Sequence, residues 1–183
     1  MLQRASLTAA EFERIADSLG PAELIRGEVV ALSPAGFEHS RIVVRVAMLL
    51  ELWARRAKKG RVLAGEASSV VENKPDTVRG ADVAYISYER VPRDQGPRGF
   101  LRVPPELVVE VRGERQGWVE LREKATQYLA FGVDRVWIID PEFRQVHVFR
   151  ANAETACLSE KESLVDEDLL PGFSCDVSEL FCD

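Results

Sequence analysis

The sequence has few cysteines, and their spacing argues against the two structures that cysteines most often build. Of 183 residues only three are cysteine, at positions 157, 175 and 182, and no two of them form a CxxC pair. A disulfide framework needs an even set, and a zinc site usually needs closely spaced pairs. We therefore expect free thiols in a reducing compartment, which predicts a cytoplasmic location.

Long apolar runs are also missing. A membrane-spanning helix needs about 18 or more consecutive apolar residues, and the longest apolar runs of this chain are much shorter. The first 20 residues are acidic and amphipathic, without the basic-then-apolar order of a signal peptide. The sequence therefore predicts neither a membrane span nor export.

An excess of positive charge is absent as well. The formal net charge is −6, which argues against a protein that coats nucleic acid through bulk charge. The segment RRAKKGR, residues 55–61, has the opposite sign. It could form a local nucleic-acid contact or a solvated helix end whose cations face the negative end of the helix dipole, and we favour the helix end.

What the sequence does contain is the composition of a globular protein, with a length that suits one domain over residues 1–183. Thr8 and Glu11 fit a capping box that opens a short helix ending near Gly20, and a hairpin follows. Apolar periodicity predicts two longer helices and five more strands. We expect an α/β (α+β) fold with a central mixed sheet flanked by helices, plus the N-terminal helix and hairpin. Its predicted parts are hairpin strands 23–25 and 28–32, helices 37–59 and 116–131, and strands 61–72, 81–88, 106–112, 135–140 and 144–150.

A carboxylate interrupts the strand predicted at residues 106–112. Alternation places Val108, Glu110 and Arg112 on one face of this strand and its other aliphatic residues on the opposite face. A carboxylate is costly to remove from water unless it is paired, hydrogen-bonded or bound to a cation. Asp82 poses the same problem in the predicted strand 81–88. If the two strands are neighbours, a divalent cation would remove the repulsion between the two acids by taking oxygen ligands from both.

The helix predicted at residues 116–131 supplies a third group. Lys124 lies about 40° around the helix from Tyr128, at the edge of the apolar stripe, and Glu120 lies one turn earlier. An Asp, a Glu and a Lys around a cation form a hydrolytic site, in which the lysine steadies water or developing charge. The same residues also fit a structural arrangement, namely an aspartate at a strand start, a Glu–Lys ion pair and a surface lysine. Spacing alone leaves both interpretations open.

The stretch from Glu23 to Pro141 resembles the Uma family of restriction-endonuclease-like proteins, which belongs to the PD-(D/E)XK nuclease superfamily. No single segment is specific, but the ordered set covers most of the chain. The resemblance implies a restriction-endonuclease-like core with nuclease chemistry. The matching segments are ELIRGEVVALSP (23–34) followed by His39, ADVAYIS (81–87), PPELVVEVRG (104–113), Lys124 with Tyr128, and FGVDRVWIIDP (131–141).

The resemblance also implies residue roles. Asp82 and Glu110 become ligands of Mg²⁺ or Mn²⁺, and Lys124 becomes the catalytic lysine, moved from the strand to the helix. In the commoner superfamily pattern the lysine lies two residues after the glutamate, where this chain has Arg112. An arginine can stabilise an anion but is essentially never a neutral base. Glu120 takes the place of the family's acid one turn before the lysine.

Three further residues each have two interpretations. His39 could bind a phosphate or a metal-bound water, or it could be a satisfied structural histidine. Glu66 could complete the metal shell as a third acid or remain a solvated strand residue. Glu28 could supply a more distant ligand, although a glutamate in a hairpin is more often solvated.

These patterns together predict a metal-dependent endonuclease that hydrolyses phosphodiester bonds of nucleic acid, with DNA as the expected substrate, and that forms a dimer or higher oligomer. Two alternatives stay open. One is a catalytically inactive nuclease-fold module that binds nucleic acid or a protein partner. The other is a metal-free hydrolase in which the two carboxylates act as acid and base.

Overall fold

The computed structural model describes residues 6–182 of the chain. The predicted domain of residues 1–183 and the N-terminal segment searched for a signal pattern both extend beyond this range. Within it, no helix is both long and apolar enough to span a membrane.

Short 3₁₀ turns at Ala16–Ser18 and Val177–Leu180 accompany the main elements. These elements are α1 (Ala9–Ile15), β1 (Ala22–Ile25), β2 (Glu28–Ala31), α2 (Phe37–Ala57), β3 (Gly60–Glu72), β4 (Thr77–Ser87), β5 (Leu107–Val111), α3 (Trp118–Phe131), β6 (Arg135–Asp140), β7 (Gln145–Phe149), β8 (Ala156–Ser159), β9 (Ser163–Val165) and β10 (Ser174–Asp176).

Eight strands form one mixed sheet that places the two acidic strands side by side. Its order is β2-β1-β4-β5-β6-β7-β8, and β3 also pairs with β4. β5 and β6 are parallel, whereas β4 and β5 are antiparallel with Ala84 opposite Val108. The predicted neighbours are therefore adjacent, and the predicted α+β fold with a central mixed sheet is confirmed.

Helices cover both faces of this sheet, and each face has its own apolar core. The aliphatic residues Leu107, Val109 and Val111 of β5 point towards α2, whereas Val108 points towards α3. This is the alternation that the sequence predicts, because successive side chains of a strand point to opposite faces. Glu110 shares its face with Val108 and therefore points towards α3. The α2 residues in the first core are Ile42, Val46, Leu50, Trp53 and Ala54, and the α3 residues in the second are Leu121, Ala125 and Tyr128.

The start of α3 differs from the prediction. The helix begins at Trp118 rather than at Gln116, because Gly117 has an extended backbone (φ −80°, ψ 147°) and forms the N-cap. Its end is as predicted, since Gly132 has a left-handed backbone with φ 110°, a conformation that favours glycine and closes helices.

The end of α2 also differs. The helix stops at Ala57, because Lys58 takes the left-handed conformation (φ 55°) and its N–H returns to the carbonyl of Ala54. Residues 58 and 59, which were predicted to continue this helix, lie outside it, and Gly60 is already the first residue of β3.

Two strand regions were predicted wrongly. β4 starts at Thr77 rather than at Ala81, because residues 77–80 continue the ladder with β3 and pair Arg79 with Ser69. The turn is therefore limited to residues 73–76. The sequence predicts only a short closing element at residues 169–181, where β10 and the second 3₁₀ turn lie; β8 at the sheet edge and β9, which pairs with β10, were not predicted.

The central position of β5 predicts a large loss of stability when its core face is truncated. Leu107 is fully buried, so Leu107→Ala removes apolar contacts and leaves a cavity; we expect the free energy of unfolding to fall by about 2–5 kcal/mol. Urea unfolding followed by circular dichroism measures the change. The matched control Leu19→Ala, at a leucine that is 41% exposed, should stay within about 0.5 kcal/mol. Equal losses for the two variants would contradict the assigned core.

Candidate active site

Asp82 and His39 meet beside the end of β5. Oδ2 of Asp82 accepts a 2.7 Å hydrogen bond from the backbone N–H of Val111 and lies 3.2 Å from Nε2 of His39. The hydrogen bond to Asp82 raises the pKa of His39 and outweighs the opposing effect of burial. Among the described residues, Nδ1 of His39 is buried without a hydrogen-bond partner. Proximity to Asp82 therefore favours the protonated imidazole.

Glu110 is buried on the α3 face of the sheet and uses both of its oxygens. Oε2 accepts a 2.8 Å hydrogen bond from Nζ of Lys124, and Oε1 accepts a 3.0 Å hydrogen bond from the hydroxyl of Tyr128. Burial raises the pKa of Glu110 to about 8, although the charge of Lys124 opposes the rise. Glu110 is therefore easier to protonate than an ordinary glutamate, while the hydrogen bonds that it accepts from Lys124 and Tyr128 stabilise its ionised form.

Lys124 is buried and directs its ammonium group at three acceptors. Nζ donates to Oε2 of Glu110 and to the carbonyl of Gly80, both at 2.8 Å, and lies 3.1 Å from Oε1 of Glu23. Burial alone would lower the pKa of Lys124, but the charges of Glu110 and Glu23 outweigh it and hold the pKa above its ordinary value. The lysine is therefore an ammonium ion at neutral pH.

Glu23 is the member of the cluster that sequence reasoning missed. It is buried in β1 and accepts hydrogen bonds from Nη1 of Arg79 at 2.7 Å and from the backbone N–H of Gly80 at 3.0 Å. Burial would raise the pKa of Glu23, but the charges of Lys124 and Arg79 hold it below its ordinary value. The one available signal was that Glu23 is the first residue of the family segment 23–34; strand alternation could not reveal its partner Arg79, which lies between the predicted strands 61–72 and 81–88.

A bulge in β3 directs Glu66 to the same region. Ala64 pairs with Val83 and Ala67 pairs with Ala81, so Gly65 and Glu66 stand together opposite Asp82. Both adopt left-handed backbone angles, with φ 87° at Gly65 and 61° at Glu66. Such a conformation is unfavourable for a glutamate, and bulges and strained residues of this kind concentrate at functional sites.

Gly80 leaves the space that the Glu66 carboxylate fills. A Cβ atom at residue 80 would lie 2.5 Å from Oε2 of Glu66. The residue as a whole is exposed, yet burial of its carboxyl group and the charge of Asp82 raise the pKa of Glu66. Glu66 thus faces both the cluster and solvent.

Two sequence candidates lie away from the cluster. Glu28 is exposed on the edge strand β2. Glu120 is exposed and accepts a 3.1 Å hydrogen bond from Gln116. The physical reason is its angular position: Glu120 lies about 80° around α3 from Tyr128, outside the sector that packs on the sheet.

Arg112 is also absent from the cluster. It lies just beyond the last residue of β5, and its Nη1 binds Asp140 at 3.1 Å and Glu142 at 2.7 Å. Because both contacts hold the guanidinium near the end of β6, Arg112 does not take the position that the commoner superfamily pattern gives to a lysine.

With all four of its carboxyl groups ionised, the cluster would have an excess of negative charge that suits a divalent cation. Glu23, Glu66, Asp82 and Glu110 supply four carboxyl groups, whereas the permanent cations within it are Lys124 and Arg79. An all-oxygen donor set suits Mg²⁺ or Mn²⁺. However, among residues 6–182 no group of three or more His, Cys, Asp or Glu side chains is already arranged to hold a metal. Lys124 lies between Glu23 and Glu110, so a cation would have to share Glu110 with it.

Comparisons with known proteins identify the family of the chain and a solved structure with a similar fold. The model of the Uma2 family, described as "Putative restriction endonuclease", matches residues 9–178. Among solved structures, a "putative nuclease belonging to DUF820" from Anabaena variabilis superposes with a TM-score of 0.79 and 19% sequence identity, over 96% of this chain and 97% of that chain. No curated protein matches the chain.

The mixed sheet with helices on both faces is thus a restriction-endonuclease-like fold. The chain belongs to the Uma2 family, since the family match covers most of its length. This confirms the resemblance drawn from the ordered segments between Glu23 and Pro141.

The pKa of Glu110 predicts how stability depends on pH. The pKa of Glu110 is about 8 in the folded protein, whereas the ordinary value for a glutamate is 4.5. The folded state therefore binds this proton more tightly, and the resulting stability is full below about pH 4.5 and is lost as the pH rises to about 8. Glu110→Gln lacks this proton, so its free energy of unfolding should fall less than that of the wild type across this range.

Urea unfolding at several pH values, with a chelator present, measures the difference. Glu120→Gln is the matched control, because it neutralises an exposed glutamate of α3 and should follow the wild type. Parallel curves for wild type and Glu110→Gln would show that Glu110 is ionised throughout.

Proposed function

We propose that the chain is a metal-dependent nuclease that hydrolyses phosphodiester bonds, with DNA as its substrate. The observation that carries the proposal is the placement of three buried side chains. Lys124 of α3 donates to Glu110 of β5, and Asp82 of β4 lies close enough to raise the pKa of both. Membership of the Uma2 family supports the same chemistry.

Asp82 and Glu110 would hold the cation, with Glu66 as the third carboxylate. Asp82 presents one oxygen to Val111 and His39, and Glu66 reaches the cluster from its exposed side. When bound, Mg²⁺ or Mn²⁺ polarises the phosphate and lowers the pKa of bound water. The protein's contribution is to hold these acids together at a cost that the cation repays.

Lys124 would act as a hydrogen-bond donor and not as a general base. Its raised pKa keeps the ammonium protonated at neutral pH, so it can steady a phosphate oxygen or orient the attacking water but cannot accept a proton. To contact a phosphate or the attacking water, Nζ must give up one of its present contacts with Gly80, Glu110 and Glu23.

His39 would hold a proton beside Asp82. Its Nε2 is engaged by Asp82, and its Nδ1 is buried. The imidazole would therefore have to turn before Nδ1 could donate a hydrogen bond to a phosphate oxygen or to water. We propose for His39 the phosphate-binding alternative of its two interpretations, with this rotation as its requirement.

A second candidate function follows from the contacts of Lys124. Its ammonium group already has two hydrogen bonds and an ion pair, and within residues 6–182 no ready metal-binding group exists. Both observations favour a nuclease-fold module that keeps the cluster as a structural ion network and binds nucleic acid without cutting it.

Cleavage assays separate the two functions. With Mg²⁺ or Mn²⁺ present we expect the wild type to cut plasmid or linear DNA, and Asp82→Asn, Glu110→Gln and Lys124→Met each to lose roughly 100-fold or more of the rate, because each removes a ligand or a donor. Gel electrophoresis with single-turnover kinetics measures the loss.

The control for these variants is Glu120→Gln, which alters a glutamate outside the cluster and should cut at the wild-type rate. Cleavage that survives all three substitutions, or that continues in excess chelator, would contradict the proposed mechanism. DNA binding by a wild type that never cuts would favour the inactive module.

Glu66 has a separate prediction that needs no substrate. Glu66→Gln should weaken Mn²⁺ binding by about tenfold or more, because it removes a carboxylate from the proposed cation shell. Isothermal titration calorimetry measures the affinity. Glu28→Gln, which neutralises the exposed edge-strand glutamate, should bind as the wild type does; equal affinity of the Glu66 variant would remove Glu66 from the shell.

A further inference from the structure

Glu23 is as deeply buried as Glu110, but besides Lys124 it has two donors from β4, a guanidinium and a backbone N–H. Its side chain is 4% exposed. Its partners are the guanidinium of Arg79, the backbone N–H of Gly80 and the ammonium of Lys124. Glu23 is therefore poorly placed to touch a substrate, and its effect must pass through one of these partners.

The sheet register explains how a hairpin glutamate reaches this position. Leu24 of β1 pairs with Val78 of β4 in an antiparallel ladder, which sets Glu23 opposite Arg79. The Nε of Arg79 in turn donates a 2.8 Å hydrogen bond to Gln127 of α3. Two of the three contacts of Glu23 thus come from β4, and the third is with Lys124.

Cation binding would change the charge balance around Lys124. Nζ lies 2.8 Å from Oε2 of Glu110, so a divalent cation on Glu110 would compete for the same negative charge and repel the buried ammonium. An uncompensated buried charge is costly. Glu23, at 3.1 Å, is the other carboxylate in contact with Nζ.

We propose that Glu23 is a positioning residue that keeps the ammonium of Lys124 in the site while Glu110 shares its charge with the cation. The proposal rests on the proposed nuclease function. Arg79 and Gln127 serve it by fixing Glu23, so the lysine is held by a carboxylate whose two oxygens are both already engaged by donors. Release of the Glu110 contact then frees one N–H of Lys124 towards the phosphate.

The test compares the wild type with Glu23→Gln, which keeps the shape of the side chain but removes its charge. Protein labelled with ¹⁵N-lysine is observed by NMR in the presence of Mg²⁺. We expect the buried Lys124 ammonium to give a protected signal in the wild type, assigned by its absence in Lys124→Met, and this signal to be lost in Glu23→Gln.

Kinetics supply the second readout. For Glu23→Gln we expect kcat for DNA cleavage to fall roughly 10- to 100-fold through misplacement of the lysine, with KM and the affinity for Mn²⁺ nearly unchanged. Glu23→Asp keeps the charge on a shorter side chain and should recover part of kcat. Glu120→Gln is the matched control and should change neither readout.

A Glu23→Gln protein with the wild-type lysine signal and the wild-type kcat would overturn the proposal. A wild type that cuts no DNA, combined with a lysine signal that depends on Glu23, would reject the proposed nuclease function while supporting Glu23 as the anchor of Lys124. If Glu23→Gln does not fold, Glu23→Asp is compared with the wild type instead, and an unmoved lysine signal then overturns the proposal.

Discussion

The candidate site depends on one constraint, the burial of an ammonium ion beneath a β-sheet. Such an ion needs balancing charge and acceptors for its N–H groups. Lys124 has both, because the carbonyl of Gly80 and the carboxylates of Glu23 and Glu110 surround it. The carboxylates in turn need donors, which explains the positions of Arg79 and Tyr128. The hairpin, β4, β5 and α3 are thereby tied to a single polar cluster between two apolar cores.

The part of the cluster that could be predicted is the part that strand and helix periodicity control. Alternation along β5 separates Glu110 from its aliphatic neighbours, and the helical angle places Lys124 beside Tyr128. The helical angle between Glu120 and Tyr128 excludes Glu120, which was kept as a candidate because it lies one turn before Lys124 and because the family has an acid there. Glu23 could not be recognised, because its burial comes from pairing with Arg79 across strands that are distant in sequence.

The main elements of the fold could also be predicted from the sequence, but not all of their boundaries. Helices and strands of the central sheet follow from local apolar patterns, and the family resemblance supplies their arrangement. The errors lie where backbone conformation or long-range pairing decides: the left-handed Lys58 ends α2, and pairing with β3 extends β4 into an apparent turn. The bulge at Glu66 has no sequence pattern of its own apart from the preceding glycine, although it directs an acid towards Asp82.

The polar network joins Glu23, Arg79, Lys124 and Tyr128, which come from chain segments up to about a hundred positions apart. Forming its contacts therefore has a large cost in loop-closure entropy. No isolated hairpin or helix can assemble it, and it exists only when β1, β4, β5 and α3 are docked together. A small molecule or ion that occupied the cluster would therefore slow hydrogen exchange across the middle of the sheet and not merely in one loop, since opening any of these four elements would expel it.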